Sequence, residues 1–125
     1  MRGYVQVHSC YLVALKHVVI AEDVAQAIRD HDPAADVILG RDPRAIPEDR
    51  VPLVAFLGLS PAEAGRLPAV QDLLARGTRL VLIGDEAEDA GEGRFWWVLP
   101  RPFTSDAVLA LLVRAAEERG SQAAE

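Results

Sequence analysis

Five short runs of apolar residues recur along the chain, each four or five residues long and rich in β-branched or aromatic side chains. Most of them lack the polar–apolar alternation of a strand with one face in water. They are therefore typical of strands covered by helices on both faces, as in a parallel sheet. The five predicted strands cover residues 17–21, 36–39, 53–57, 79–83 and 95–99. A further segment at residues 4–15, rich in Val, Tyr and Leu, predicts an extra strand or an extended arm.

The segments between these runs predict short helices, which parallel strands need as crossovers. Residues 60–63 read Ser-Pro-Ala-Glu, the sequence of a capping box with proline at the first helical position. Three prolines in residues 42–52 disfavour a regular helix there, and the acidic residues 85–93 allow one or two turns. A final helix capped near Ser105 is expected, followed by a flexible tail at residues 119–125.

The composition indicates one globular domain with an acidic surface. The 125 residues are 50% hydrophobic and 26% charged, with a formal net charge of −6. This charge argues against direct nucleic-acid binding, because phosphate contacts need clustered Lys and Arg. No segment has the pattern of a signal peptide or a membrane span, so a cytoplasmic location is expected. Cys10, the lone cysteine, is expected to be a small buried hydrophobe.

Residues 95–103 combine an apolar strand with a basic residue that stands before a proline, in the sequence Phe-Trp-Trp-Val-Leu-Pro-Arg-Pro-Phe. This arrangement resembles the last strand of the receiver domain of two-component response regulators, where Lys-Pro-Phe follows strand five and the lysine reaches a phosphoryl group. Here Arg101 stands in place of that lysine. The resemblance spans residues 17–118, with residues 1–16 as an N-terminal extension. It implies an α/β, flavodoxin-like (βα)₅ three-layer sandwich with a parallel sheet and shortened helices.

The resemblance also implies a pocket that lacks its reactive aspartate. In receivers, an acidic pair after strand one holds Mg²⁺ together with a phosphoacceptor aspartate at the end of strand three. Glu22 and Asp23 look like the acidic pair, whereas Gly58 stands at the acceptor position. Glu22 and Asp23 are therefore candidate Mg²⁺ ligands, or they simply complement a helix dipole. Apart from Mg²⁺ at these two acids, no cofactor is predicted.

Two other receiver positions are also altered. Gly84 stands where strand four should end in a Thr or Ser hydroxyl, and Val98 stands at the switch aromatic. We therefore expect no phosphoryl transfer and no catalysis, with Arg101 paired to the two acids as a permanent mimic of a closed pocket. The predicted degenerate pocket comprises Glu22, Asp23, Gly58, Gly84 and Arg101.

Adjacent tryptophans at positions 96 and 97 should point to opposite faces of the last strand. One is expected in the core and the other at an interface, where Trp is enriched. The predicted interaction face comprises Trp96, Trp97, Val98 and Phe103. The sequence thus predicts a signalling or regulatory module that binds a protein partner, such as a histidine kinase or an output protein, or forms a homodimer.

The sequence also leaves three alternative functions open. A shifted register would make residues 36–39 the third strand, with Asp42 as the phosphoacceptor. The chain would then be a phosphorylatable response regulator. Alternatively, it is the N-terminal input domain of a bacterial transcription activator, present as a fragment. The last alternative is a small-molecule binder that uses the carboxyl edge of the sheet.

Overall fold

The computed structural model describes residues 9–123, and the side chains of residues 9–119. Its centre is a five-stranded, wholly parallel sheet in the order β2-β1-β3-β4-β5. This is the strand order of flavodoxin-like sheets, and it confirms the predicted fold class. The strands are β1 (Cys10–Ala14), β2 (Asp36–Gly40), β3 (Val54–Leu57), β4 (Arg79–Leu82) and β5 (Trp96–Val98).

Helices cover the sheet on both sides and complete three layers. Two long helices, α1 (Val18–His31) and α5 (Ser105–Ala123), pack together on one face. The opposite face carries only short elements among the described residues. They are a 3-10 helix (Pro43–Ala45), α2 (Pro61–Arg66), α3 (Pro68–Ala75) and α4 (Asp85–Ala90).

Successive residues of β1 enter two different hydrophobic cores. Tyr11 and Val13 pack under α1 and α5, whereas Leu12 and Ala14 pack under the short helices. All five residues of β1 are buried, because the strand lies between β2 and β3 and is covered on both faces. Double-sided burial explains why the apolar runs do not alternate with polar residues.

The prediction of a strand at residues 17–21 is wrong, because most of these residues form the start of α1. The central strand is β1, which lies within the segment predicted as an extra strand or arm, and the sheet therefore has five strands. Val18 and Val19 open α1 and are 70% and 73% exposed. The predicted boundary after residue 16 separates β1 from its own crossover helix. Residues 1–8 of that extension lie outside the described residues.

The helix signals in the sequence are accurate at the start of α2. The Ser60 hydroxyl accepts a hydrogen bond from the Glu63 amide at 3.1 Å, and the Glu63 carboxylate accepts one from the Ser60 amide at 3.0 Å. This is the predicted capping box. The final helix continues through Ala123, into the segment predicted as a flexible tail; residues 124–125 lie outside the described residues.

Cys10 is buried in β1 and unpaired, as predicted. Burial raises the pKa of its thiol, although the nearby Arg50 acts in the opposite direction. Within residues 9–123, none of the helices combines the length and the apolar character needed to cross a membrane.

The position of the central strand can be tested with two alanine substitutions. Leu12→Ala empties a fully buried site and should lower the free energy of unfolding by roughly 2–5 kcal/mol. Val19→Ala removes an exposed side chain on α1 and should change it by less than about 0.5 kcal/mol. Urea denaturation followed by circular dichroism measures both. A large loss for Val19→Ala would instead support a strand at residues 17–21.

Candidate functional site

The loops that follow four strands meet at the carboxyl edge of the sheet. Backbone hydrogen bonds hold them side by side: the Gly58 amide donates to the Ala14 carbonyl at 3.1 Å, and the Ile83 amide donates to the Leu57 carbonyl at 3.0 Å. In sheets of this topology, ligands bind at the carboxyl edge where the connections diverge, here between β1 and β3.

A pocket of about 210 Å³ lies at this point, and we call it the Gly58 pocket. Its polar side chains are basic or titratable, namely Lys16, His17 and Arg101. No carboxylate or hydroxyl side chain is among the described residues that line it. The complete lining is Leu15, Lys16, His17, Ile20, Gly58, Ile83, Gly84 and Arg101.

Glu22 and Asp23 do not reach this pocket, contrary to the sequence prediction. Because β1 ends at Ala14 and α1 begins at Val18, both acids lie within α1, where they are exposed. The residues that actually follow the central strand are Leu15, Lys16 and His17. The predicted pairing of Arg101 with Glu22 and Asp23 is therefore wrong.

The residues present do not fit a magnesium ion at this edge. Mg²⁺ prefers near-octahedral coordination by oxygen, usually with at least one carboxylate. The lining of the Gly58 pocket offers no side-chain carboxylate, and Lys16 and Arg101 bring positive charge instead. Nowhere in the described part of the chain do three or more His, Cys, Asp or Glu side chains form a group that could hold a metal ion.

Gly58 and Gly84, the two glycines of the Gly58 pocket, differ in how easily another residue could replace them. Gly58 follows β3, as expected, and a Cβ atom there would lie 3.3 Å from Cδ2 of Leu15. Gly84 has φ +146° and ψ 169°, a backbone conformation that is essentially restricted to glycine. Thr or Ser would therefore be strained at this position after β4.

Arg101 is held by two acids of α4. Its Nε donates to Oε2 of Glu88 at 2.7 Å, its backbone amide donates to the same oxygen at 3.2 Å, and Nη2 donates to Asp85. These hydrogen bonds hold the pKa of Glu88 below its ordinary value, and contacts with Glu88 and then Asp85 raise the pKa of Arg101. We call Arg101, Asp85 and Glu88 the Arg101 ion-pair cluster.

This cluster was not predicted from the sequence, because an acidic run of this kind is most simply interpreted as a solvated loop. Two signals point to it in retrospect. The acids follow a strand end and a glycine directly, as in a short helix whose first turn is acidic. Their spacing of three places both side chains on one face of that helix.

The predicted interaction face is divided between the two sides of the sheet. Trp97 is only 3% exposed, and the guanidinium carbons of Arg79 and Arg114 lie over its ring, 4.4 and 4.0 Å from the ring centroid. Its side chain is therefore part of the core and not of a surface. Trp96 and Val98 pack on the opposite side of the sheet, while Phe103 packs against the hydrophobic cluster that includes Trp97.

Trp96 forms part of an apolar groove of about 570 Å³, which we call the tryptophan groove. It exists because α4 has six residues, about 9 Å of helix, and leaves part of β4 and β5 uncovered. The sequence predicts short helices and one tryptophan of the pair at a surface, but it does not place a groove between α2, α3 and β5. Its lining comprises Pro61, Ala64, Gly65, Gln71, Leu74, Ala75, Leu80, Phe95 and Trp96.

Asp42 lies after the edge strand β2 and does not line the Gly58 pocket. Its carboxylate accepts a hydrogen bond from the Arg44 amide at 2.8 Å and caps the 3-10 helix. Residues 36–39 belong to β2, and the third strand is Val54–Leu57. The alternative register, with residues 36–39 as the third strand, is therefore wrong.

Comparisons with known proteins identify no relative of this chain. No protein-family model, no curated protein and no solved structure matches the chain. Any functional inference therefore depends on the residues of the sites themselves.

The Arg101 ion-pair cluster should make stability sensitive to acid. A lowered pKa for Glu88 stabilises the fold above its ordinary value of 4.5, and this contribution is lost as the pH falls through the lowered value. Glu88→Gln should therefore be less stable than the wild type at pH 7, and the difference should shrink below pH 4.5. Urea denaturation over a series of pH values measures this.

The matched control is Asp89→Asn on the same helix, since no ion pair of Asp89 is found among the described residues. This variant should follow the wild type at neutral pH. Equal stability of Glu88→Gln and the wild type at pH 7 would show that the cluster does not stabilise the fold.

Proposed function

We propose that the chain is a receiver-like regulatory module that acts through protein contacts and transfers no phosphoryl group itself. The main support is the composition of the Gly58 pocket. The fold has the receiver's strand order, and Arg101 follows β5 as the resemblance implies. However, the described lining has no carboxylate that could accept a phosphoryl group or hold a metal ion, and it has no hydroxyl side chain.

The Arg101 ion-pair cluster supports the same proposal. In the family that the chain resembles, the basic residue after strand five reaches a phosphoryl group. Here Asp85 and Glu88 already pair with the guanidinium group of Arg101. The loop after β5 is therefore tied to α4 without any ligand, and the module would present one constant surface to its partner.

The tryptophan groove is the contact surface that best fits this function. It is apolar and open to solvent, and it includes Phe95, which is 53% exposed. Exposed apolar patches of this kind commonly mark sites of protein contact. The partner would be a component of a signalling pathway, such as a histidine kinase or an output protein, and a cytoplasmic location is part of this proposal.

A small phosphodonor tests the absence of phosphoryl transfer. After incubation with acetyl phosphate and Mg²⁺, intact-mass spectrometry should show no added phosphoryl group, and fluorine NMR should show no bound beryllofluoride. An intact receiver domain provides the positive control. A phosphoryl adduct would contradict the proposal, and its loss in Asp42→Asn would assign the acceptor to Asp42.

A second variant separates the missing acceptor from the missing metal ligands. Gly58→Asp restores a carboxylate at the end of β3, yet the residues after β1 still supply no acidic partner for Mg²⁺. We expect Gly58→Asp to remain unlabelled by acetyl phosphate. Circular dichroism checks that it is folded, since the new side chain must displace Leu15 slightly. Efficient labelling would show that the acceptor alone was missing.

A further inference from the structure

The tryptophan groove adjoins a second pocket of about 210 Å³, which we call the arginine pocket. The two share Leu74 and Phe95, so a single extended ligand can occupy both. The arginine pocket is lined by Leu53, Leu74, Gly77, Thr78, Arg79, Arg94, Phe95, Ala115, Glu118 and Arg119.

The charge of the arginine pocket is opposite to that of the chain as a whole. Three arginines and one glutamate give its lining a formal charge of +2, while the chain carries −6. Arg79 donates a 2.5 Å hydrogen bond to Glu118. Among the described residues, no carboxylate lies within 4.0 Å of the side-chain nitrogens of Arg94 or Arg119. These two guanidinium groups can therefore receive acidic groups from a ligand.

The tryptophan groove itself offers shape and apolar surface, with few free hydrogen-bonding groups. The Trp96 indole Nε1 donates to the Gly91 carbonyl at 3.1 Å. A Cβ atom on Gly93 would overlap the indole ring, so glycine is needed for this close packing. The Gln71 side-chain amide donates to backbone carbonyls of α2. Such a surface fits aliphatic or aromatic side chains better than a nucleobase, which needs polar partners.

We propose that the tryptophan groove and the arginine pocket together bind a peptide segment of a partner protein, in which bulky apolar residues adjoin aspartate or glutamate. This inference rests on the proposed function, since it names the class of partner for the same surface. Apolar side chains of the segment occupy the groove, and its acidic side chains pair with Arg94 and Arg119 across Phe95. Charge-assisted pairing with Arg adds both affinity and direction to the contact.

Selection from a random peptide library tests this inference, because the peptides that bind reveal the chemistry of the partner. The full chain is immobilised and presented with phage-displayed random dodecapeptides. Enriched peptides should combine Leu, Ile, Phe or Trp with neighbouring Asp or Glu. Binding of a synthetic copy should weaken about tenfold in Phe95→Ala, which removes an exposed contact side chain, and should also weaken as salt is raised.

Reversing the charge of Arg94 tests directly whether the arginine pocket selects acidic peptides. Arg94→Glu lowers the formal charge of the pocket lining from +2 to 0 and should therefore strongly reduce the enrichment of acidic peptides. The matched control is Arg29→Glu, an exposed arginine on α1 that lines neither the tryptophan groove nor the arginine pocket. That variant should select the same acidic peptides as the wild type. Circular dichroism confirms that both variants are folded.

Several outcomes would overturn the inference. Failure to enrich any peptide, enrichment of peptides without acids, or unchanged selection by Arg94→Glu would each exclude an acidic apolar partner. If sedimentation shows that the chain self-associates and Phe95→Ala abolishes this, the groove binds a second copy of the chain and not a partner peptide. If acetyl phosphate also fails to label the chain, the proposal of a non-catalytic module still holds in each of these cases. Labelling by acetyl phosphate would instead contradict the proposed function itself.

Discussion

Burial of β1 on both faces is the constraint from which the geometry of the whole carboxyl edge follows. The strand pairs with β2 on one side and with β3 on the other, and its five side chains are all buried. Its last residue, Ala14, fixes where the chain leaves the sheet. The turn to α1 therefore places Leu15, Lys16 and His17 beside Gly58. The chemistry of the pocket, including the absence of a site for Mg²⁺ among its described lining residues, is set by where this strand ends.

The shortness of α4 has two consequences for function. Its acidic first turn complements the helix dipole and also holds Arg101 through Asp85 and Glu88. The helix then ends before Gly91, whose φ of +73° favours glycine, so the tryptophan groove remains uncovered. One six-residue helix thus ties down the basic residue at the carboxyl edge and exposes an apolar surface beside it.

Much of the fold could be predicted from sequence because its signals are local. The positions of β2 to β5 follow from continuous apolar runs, and the capping box at Ser60 follows from four residues. The error at residues 17–21 also has a local cause. Val18 and Val19 favour a strand by their branched side chains, but they begin a helix whose buried face starts at Ala21. Periodicity identifies that face and does not fix where the helix starts.

The sites were harder to predict because they depend on which distant residues meet. Adjacency alone indicates that Trp96 and Trp97 face opposite sides, but not which one is enclosed. Trp97 is enclosed on the side of α1 and α5, where Arg79 from β4 and Arg114 from α5 both lie over its ring. Trp96 is only partly buried because the short connection after β4 leaves its side of the sheet open. The surface available to a partner therefore follows from the lengths of the crossovers, and its charge follows from arginines that the fold brings together at Phe95.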